Sequence, residues 1–174
     1  WGPAVDGGSF HTYYRNKSYV YAGETQAFLD LDDTSYYGPE TTTVYSMNQS
    51  GLYSFYVHDF SNRGNSSNTV LANSGAKVQV YVGEELITTY NIPTSGIGNV
   101  WHVFDFNADT RTLTVVNEFS SESNADNVGS GISYLGLDSV ISPEKDEKKK
   151  EQDEAMENSE EADIDKEDSK NETE

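Results

Sequence analysis

With 174 residues the chain is long enough for one domain and short of two, and its 30 acidic against 11 basic residues leave a formal net charge of −19. From residue 143 onward 15 acidic and 6 basic side chains give −9, and residues 1–142 hold the other 15 and 5, giving −10; both parts repel polyanions, which disfavours nucleic acid and anionic membrane surfaces as partners. The absence of cysteine excludes disulfides and thiolate metal sites, and no apolar run approaches the roughly 18–20 residues of a membrane span.

Strand signals dominate from Phe10 to Phe119. Residues 13–21 carry one or two short strands, and residues 27–31 and 41–45 one each, parted by Tyr37-Gly38-Pro39. After Gln49-Ser50-Gly51, Tyr53, Phe55 and Val57 alternate while Leu52 and Tyr56 make the second face apolar as well. That pattern predicts a central strand covered on both sides. Residues 59–75 are irregular, and Ser61-Asn62-Arg63-Gly64-Asn65-Ser66-Ser67-Asn68 read as a solvated loop by composition. Ala76, Val78, Val80 and Val82 alternate with Lys77, Gln79, Tyr81 and Gly83, the period of a half-buried strand. Residues 86–92 follow across the Gly83-Glu84-Glu85 turn, and residues 93–98 are turn-like.

Residues 100–106 and 111–117 pair across Asn107-Ala108-Asp109-Thr110, a natural hairpin turn. Trp101 belongs to the core, because its strand neighbours are apolar. Residues 120–127 turn polar and aperiodic. Residues 131–141 regain apolar character (Ile132, Tyr134, Leu135, Leu137, Val140, Ile141). From Pro143 almost no apolar side chain remains to offset the entropy of ordering, which predicts a disordered acidic tail. The organisation expected is therefore a β domain over residues 1–119, a polar linker or docked last strand over 120–142, and the tail over 143–174. Short strands with regular turn punctuation and no helix predict an all-β, antiparallel β-sandwich of roughly seven to nine strands.

Three segments carry a family likeness. The first is Trp1-Gly2-Pro3 running on to His11-Thr12-Tyr13-Tyr14-Arg15-Asn16-Lys17. The second is Leu29-Asp30-Leu31-Asp32-Asp33-Thr34 with Tyr37-Gly38-Pro39-Glu40, and the third is Ala76-Lys77-Val78-Gln79-Val80-Tyr81-Val82-Gly83 with Trp101-His102-Val103-Phe104. Together they cover most of residues 1–119 and resemble the YfaP-like domain of unknown function of bacterial surface and exported proteins. The resemblance implies a β-sandwich module set in a larger cell-surface architecture, hence an extracellular or surface location. It also implies a missing Asp-x-Asp-x-His-like strand before Gly2-Pro3. The chain opens without Met or a signal-type apolar stretch, as expected of a fragment or processed piece.

Asp30, Asp32, Asp33 and Glu40 form the densest carboxylate group of the body. On a strand Asp30 and Asp32 would point to one side, about 6.5–7 Å apart. Such a group suits Ca²⁺, which takes six to eight oxygens in forgiving geometry, or it is simply a set of solvated turn residues, since EF-hand spacing is absent. Tyr13, Tyr14, Tyr36 and Tyr37 suggest stacking on sugar rings; adjacent tyrosines on a strand face opposite ways, so at most one of each pair can join a platform. Tyr also fills strand faces for its propensity alone. His11, His58 and His102 lack zinc-ligand spacing.

No Gly-x-Ser-x-Gly elbow, nucleophilic cysteine or phosphate-cradling loop is present. These readings converge on a non-catalytic extracellular module that acts as a structural, adhesive or ligand-binding unit, with a protein or glycan partner at the cell surface. No cofactor is expected apart from the Ca²⁺ candidate. A Ca²⁺-dependent or tyrosine-platform carbohydrate-binding module is the alternative, and a small carboxylate-based hydrolase a remote one.

Overall fold

The computed structural model describes residues 1–32, 38–47 and 49–130. All lie in the first of two units into which the chain divides, Trp1–Ile132. Asp33, Tyr36 and Tyr37, the apolar stretch 131–141 and the tail 143–174 lie outside the described residues.

The described chain is all-β and antiparallel throughout, as its alternating apolar pattern predicts. Its strands are β1 (Gly2–Pro3), β2 (Ser9–Phe10), β3 (Ser18–Tyr21), β4 (Glu24–Leu31), β5 (Thr41–Val44), β6 (Leu52–His58), β7 (Lys77–Val82), β8 (Glu85–Asn91), β9 (Val100–Asn107) and β10 (Thr112–Ser120). They form a three-stranded sheet β10-β9-β6, a second three-stranded sheet β3-β4-β5, and the pairs β7-β8 and β1-β2. Among the described residues the helical elements are two short 3₁₀ turns, Phe60–Asn62 and Ala125–Asn127. No helix among them is long and apolar enough to cross a membrane.

The core lies between the β7-β8 hairpin and one face of β10-β9-β6. Leu71, Ile92, Trp101, Val103 and Phe104 form its buried centre, with Val78, Val80 and Tyr90 of the hairpin and Phe55, Val57, Phe106, Leu113 and Phe119 of the sheet packed around it. Phe104 stacks on Phe55 at 5.6 Å and meets Tyr90 at 5.3 Å. Trp101 is fully buried, and its indole N–H donates to Asn117 Oδ1 at 3.1 Å, so its one polar atom is satisfied. Phe10 joins the other sheet to this core region, stacking on Tyr19 of β3 at 4.6 Å and meeting Tyr53 of β6 edge-on at 6.1 Å.

Register on β9 is broken at Val103. On one side Phe55 faces Phe104 and Tyr56 faces His102; on the other Val115 faces Phe104 and Glu118 faces His102. The surplus residue is a β-bulge, which lets Val103 and Phe104 both turn inward although they are neighbours. It also brings His102 and Asp105, three apart, to the same outer face, where a regular strand would oppose them. On β10 the same irregularity leaves Asn117 at φ 55°, a conformation asparagine tolerates.

One expectation needs correction. The strand of Tyr53, Phe55 and Val57 is not central: β6 is the edge of its sheet and β9 the middle strand. The apolar second face of β6 misled because Tyr56 stacks on the His102 ring at 4.3 Å instead of entering a second core. The outer edge of β6 is covered locally by Trp1, whose backbone nitrogen donates to Ser54 O at 3.0 Å while Ser54 N donates to Trp1 O at 2.8 Å.

In the irregular 59–75 segment, residues 61–67 are exposed apart from half-buried Asn62, as expected of a solvated loop, and the burial falls after them. Leu71 and Ala72 are buried, and so is Asn68, whose side chain donates to the carbonyls of Asn62 and Asn65 and accepts from Val70 N. Asn99, with no exposed surface, donates to Arg63 O at 3.0 Å and accepts from Glu122 N at 2.9 Å, while its carbonyl accepts from Asp59 N at 2.8 Å. The two buried amides replace the ladder bonds an irregular segment lacks. After β10, the described part of the polar stretch, residues 120–130, forms the second 3₁₀ turn and buries Ala125 and Val128. The indole N–H of Trp1 donates to Val128 O.

Trp101→Ala should therefore lower the unfolding free energy by about 3–5 kcal/mol, the cost of emptying a large aromatic site. Asn99→Ala should cost about 1–3 kcal/mol, because it removes the fully buried amide that bonds Arg63 O and Glu122 N. Urea titrations followed by circular dichroism measure both, with exposed Tyr81→Ala as a control expected within about 0.5 kcal/mol of the parent.

Candidate functional site

Chemistry-bearing side chains collect on the outer face of β10-β9-β6, opposite the core. The β9 bulge places the His102 ring nitrogen Nε2 2.9 Å from Asp105 Oδ1, and Ser54 Oγ donates to the same oxygen at 2.5 Å. A serine, a histidine and an aspartate are thus adjacent, but in the wrong order for nucleophile activation. A relay needs the hydroxyl to hand its proton to the imidazole while the carboxylate holds the imidazole's other nitrogen. Here the carboxylate is the common acceptor, and Ser54 bonds to it directly.

Beside this cluster, Tyr56, His102 and Glu118 stand in one cross-strand row. They line a shallow hollow of about 250 Å³ with Phe119, Glu122 and Val128. Its rim is acidic, with Glu118 exposed and Glu122 half-buried. His58 reaches the same edge, its Nε2 3.0 Å from Glu122 O; since a carbonyl only accepts, the imidazole donates.

A second feature is a run of aromatic rings. Trp1 stacks on His11 at 4.4 Å, and His11 on Tyr13 at 4.4 Å. Tyr13 meets Tyr14 edge-on at 5.5 Å, and Tyr14 meets Phe60 at 5.0 Å. The Arg63 guanidinium lies over Phe60 at 3.8 Å from the ring centre. Tyr13 OH donates to Asp126 Oδ1 at 2.6 Å, which with the Trp1–Val128 bond ties the 3₁₀ turn to the start of the chain. The structure brings the candidate tyrosines Tyr13 and Tyr14 together, but their rings are inclined at 87°, so they do not form one flat platform. Tyr13 also has one ring face already occupied by His11.

Of the carboxylate candidates, Asp30 and Asp32 fall at the end of β4. Asp30 accepts a hydrogen bond from Thr43 Oγ1 of β5, and Asp32 is paired with Lys17 at 3.1 Å. Glu40 directly precedes β5. A second bulge separates the pairs Leu29–Thr42 and Leu31–Thr41 at Asp30. Among the described residues no three His, Asp or Glu side chains gather closely enough to hold a metal ion. A divalent cation at Asp32 would have to displace the Lys17 ammonium.

A third feature has no counterpart in the sequence reading. Thr25, Phe28 and Tyr45 line an open hollow of about 400 Å³ on the outer face of β3-β4-β5. Phe28 is half-buried and Tyr45 is 62% exposed. The signal available in the sequence was weak: Phe28 sits on β4 and Tyr45 directly after β5, and only the pairing of β4 with β5 makes them neighbours.

Burial, only partly offset by the nearby Asp126 carboxylate, lowers the His11 pKa to about 4. Burial also lowers that of His58. Both rings are held neutral, whereas the unfolded chain takes up their protons near pH 6.5. For His11 the unfolded state therefore binds more protons between pH 6.5 and about 4, so its contribution to stability is complete above pH 6.5 and is lost as pH falls through that window, and His58 acts in the same direction. Thermal melts at pH 7.5 and 4.5 should show a drop that shrinks in His11→Phe, which keeps an aromatic ring between Trp1 and Tyr13 but cannot take up a proton.

No protein-family model, curated protein or solved structure matches this chain.

Proposed function

We propose that this chain is a non-catalytic β-sandwich module of a bacterial surface or secreted protein, a spacer or adhesive unit that presents its outer faces to a ligand. The observation that supports this reading most directly is how the reactive side chains are employed. Asp105 accepts from both Ser54 and His102, joining the outer faces of β6 and β9, while His58 donates to the chain after β10 and His11 is stacked between two rings. Groups that would serve catalysis are committed to holding strands and termini together. The hollows are shallow and open, whereas enzymes enclose their reacting groups to exclude water. The likeness of the Gly-Pro and Asp-rich segments to the YfaP-like domain supports the surface setting.

The test is protease shaving of intact cells of the native organism, followed by peptide detection. Peptides from residues 1–130 should be released without lysis, alongside known surface proteins and without cytosolic markers. Peptides that appear only after lysis would refute the surface setting. His102→Ala separates the chemical roles: it should lower the melting temperature, and no ester or glycoside turnover by the parent protein should depend on His102. Turnover that is abolished in His102→Ala while the fold persists would refute the non-catalytic reading.

A further inference from the structure

The outer face of β3-β4-β5 carries a constellation suited to a neutral sugar. In an antiparallel sheet, residues directly opposite one another share a face. Phe28 faces Thr43 on β5 and Ser18 on β3, so the three stand in one row. Tyr45 continues that face, its backbone N–H donating to Gln26 O at 2.8 Å just beyond the last β4-β5 pair. Thr25 would lie on the opposite face from Phe28 in a regular strand. It joins Phe28 because the β3-β4 register shifts at Gln26, where Tyr19 faces Ala27 and Val20 faces Thr25. The result is two aromatic rings on diagonal positions, with the hydroxyls of Thr25, Thr43 and Ser18 around them and Asp30 anchored on Thr43.

We infer that the hollow lined by Thr25, Phe28 and Tyr45 is a carbohydrate site that takes a neutral glycan by stacking its apolar ring faces on Phe28 and Tyr45. Three observations select this occupant. The site is an open hollow of about 400 Å³, which suits a polymer laid across it rather than a ligand enclosed within it. The aromatic faces are bordered by hydroxyl and carboxylate groups, which suit the equatorial hydroxyls of a sugar and would be left poorly paired by an apolar peptide. The −10 charge of residues 1–142 opposes anionic ligands, leaving a neutral polymer as the match. This inference rests on the reading of the chain as a ligand-presenting module, and it moves the sugar-stacking role from the tyrosines of the sequence analysis to an aromatic pair joined by strand pairing.

The test is affinity electrophoresis of the full chain in gels containing soluble xylan, galactomannan, mixed-linkage β-glucan or dextran, with polygalacturonate as an anionic control. At least one neutral polysaccharide should retard the protein. Tyr45→Ala should weaken that association at least tenfold with an unchanged melting temperature, because the side chain is mostly solvent-exposed, and Phe28→Tyr should retain it. The proposal is overturned if no neutral polysaccharide retards the protein, if Tyr45→Ala is retarded like the parent, or if only polygalacturonate binds. Those failures leave the surface setting standing, since cell shaving tests it separately; glycan binding by a chain found only inside cells would refute the setting and keep the site.

Discussion

Val103 has no partner opposite it on β6, and much of the domain's arrangement depends on that one surplus residue. Without it, the strict alternation of β9 would set Val103 and Phe104 on opposite faces and would part His102 from Asp105. With it, the central strand presents three large side chains within four residues, Trp101, Val103 and Phe104, to one core. On the far side, the same kink draws an imidazole and a carboxylate into contact and gives Ser54 a partner across the strand pair. A bulge sharpens local twist as well as changing side-chain direction, and its effect is felt on both neighbours, since β10 carries the matching irregularity around Asn117.

Around this strand the domain relies on polar groups to hold what the hydrophobic core cannot reach. Core burial is concentrated between the β7-β8 hairpin and one sheet face, and outside it the large apolar side chains buried among the described residues are Leu29, Tyr53, Val100 and Val128. Asn68 and Asn99 therefore act as substitute backbone, each with a fork of donor and acceptor: Asn68 closes its own loop through Asn62, Asn65 and Val70, whereas Asn99 joins Arg63 to Glu122, segments far apart in sequence. Trp1, His11 and Tyr13 do comparable work through stacking, fastening the first residues to the turn after β10. In a small β domain without cysteine, buried amides and aromatic stacks lock the irregular parts that a disulfide could otherwise hold.

The two outer faces differ in character, and that difference bears on function. On β10-β9-β6 the exposed side carries acidic residues and histidines already bonded to neighbours. On β3-β4-β5 it carries aromatic rings separated by hydroxyls, with one ring largely in solvent. Charged and paired groups stabilise or tune, whereas an exposed ring in a polar surround is surface available for contact. The apolar hairpin tip around Tyr81, Val82, Leu86 and Ile87 is also exposed, and nothing in its surroundings selects a partner.

Fold class and strand positions were legible in the residues because period-two alternation and turn chemistry are local. Lys77–Val82 becomes β7, and Asn107 Oδ1 accepts from the N–H groups of Asp109 and Thr110 to close the expected β9-β10 turn. The burial of Trp101 was legible for the same reason. Sheet order was not, because nothing local tells β6 that it is an edge and β9 that it is central. Nor were the bulges at Val103 and Gln26, which depend on what each strand meets across a ladder. The grouping of Ser54, His102 and Asp105 and of Thr25, Phe28 and Tyr45 therefore belongs to the tertiary structure alone. A one-residue slip in register exchanges the two faces of a strand, and register is decided by neighbours that sequence distance conceals.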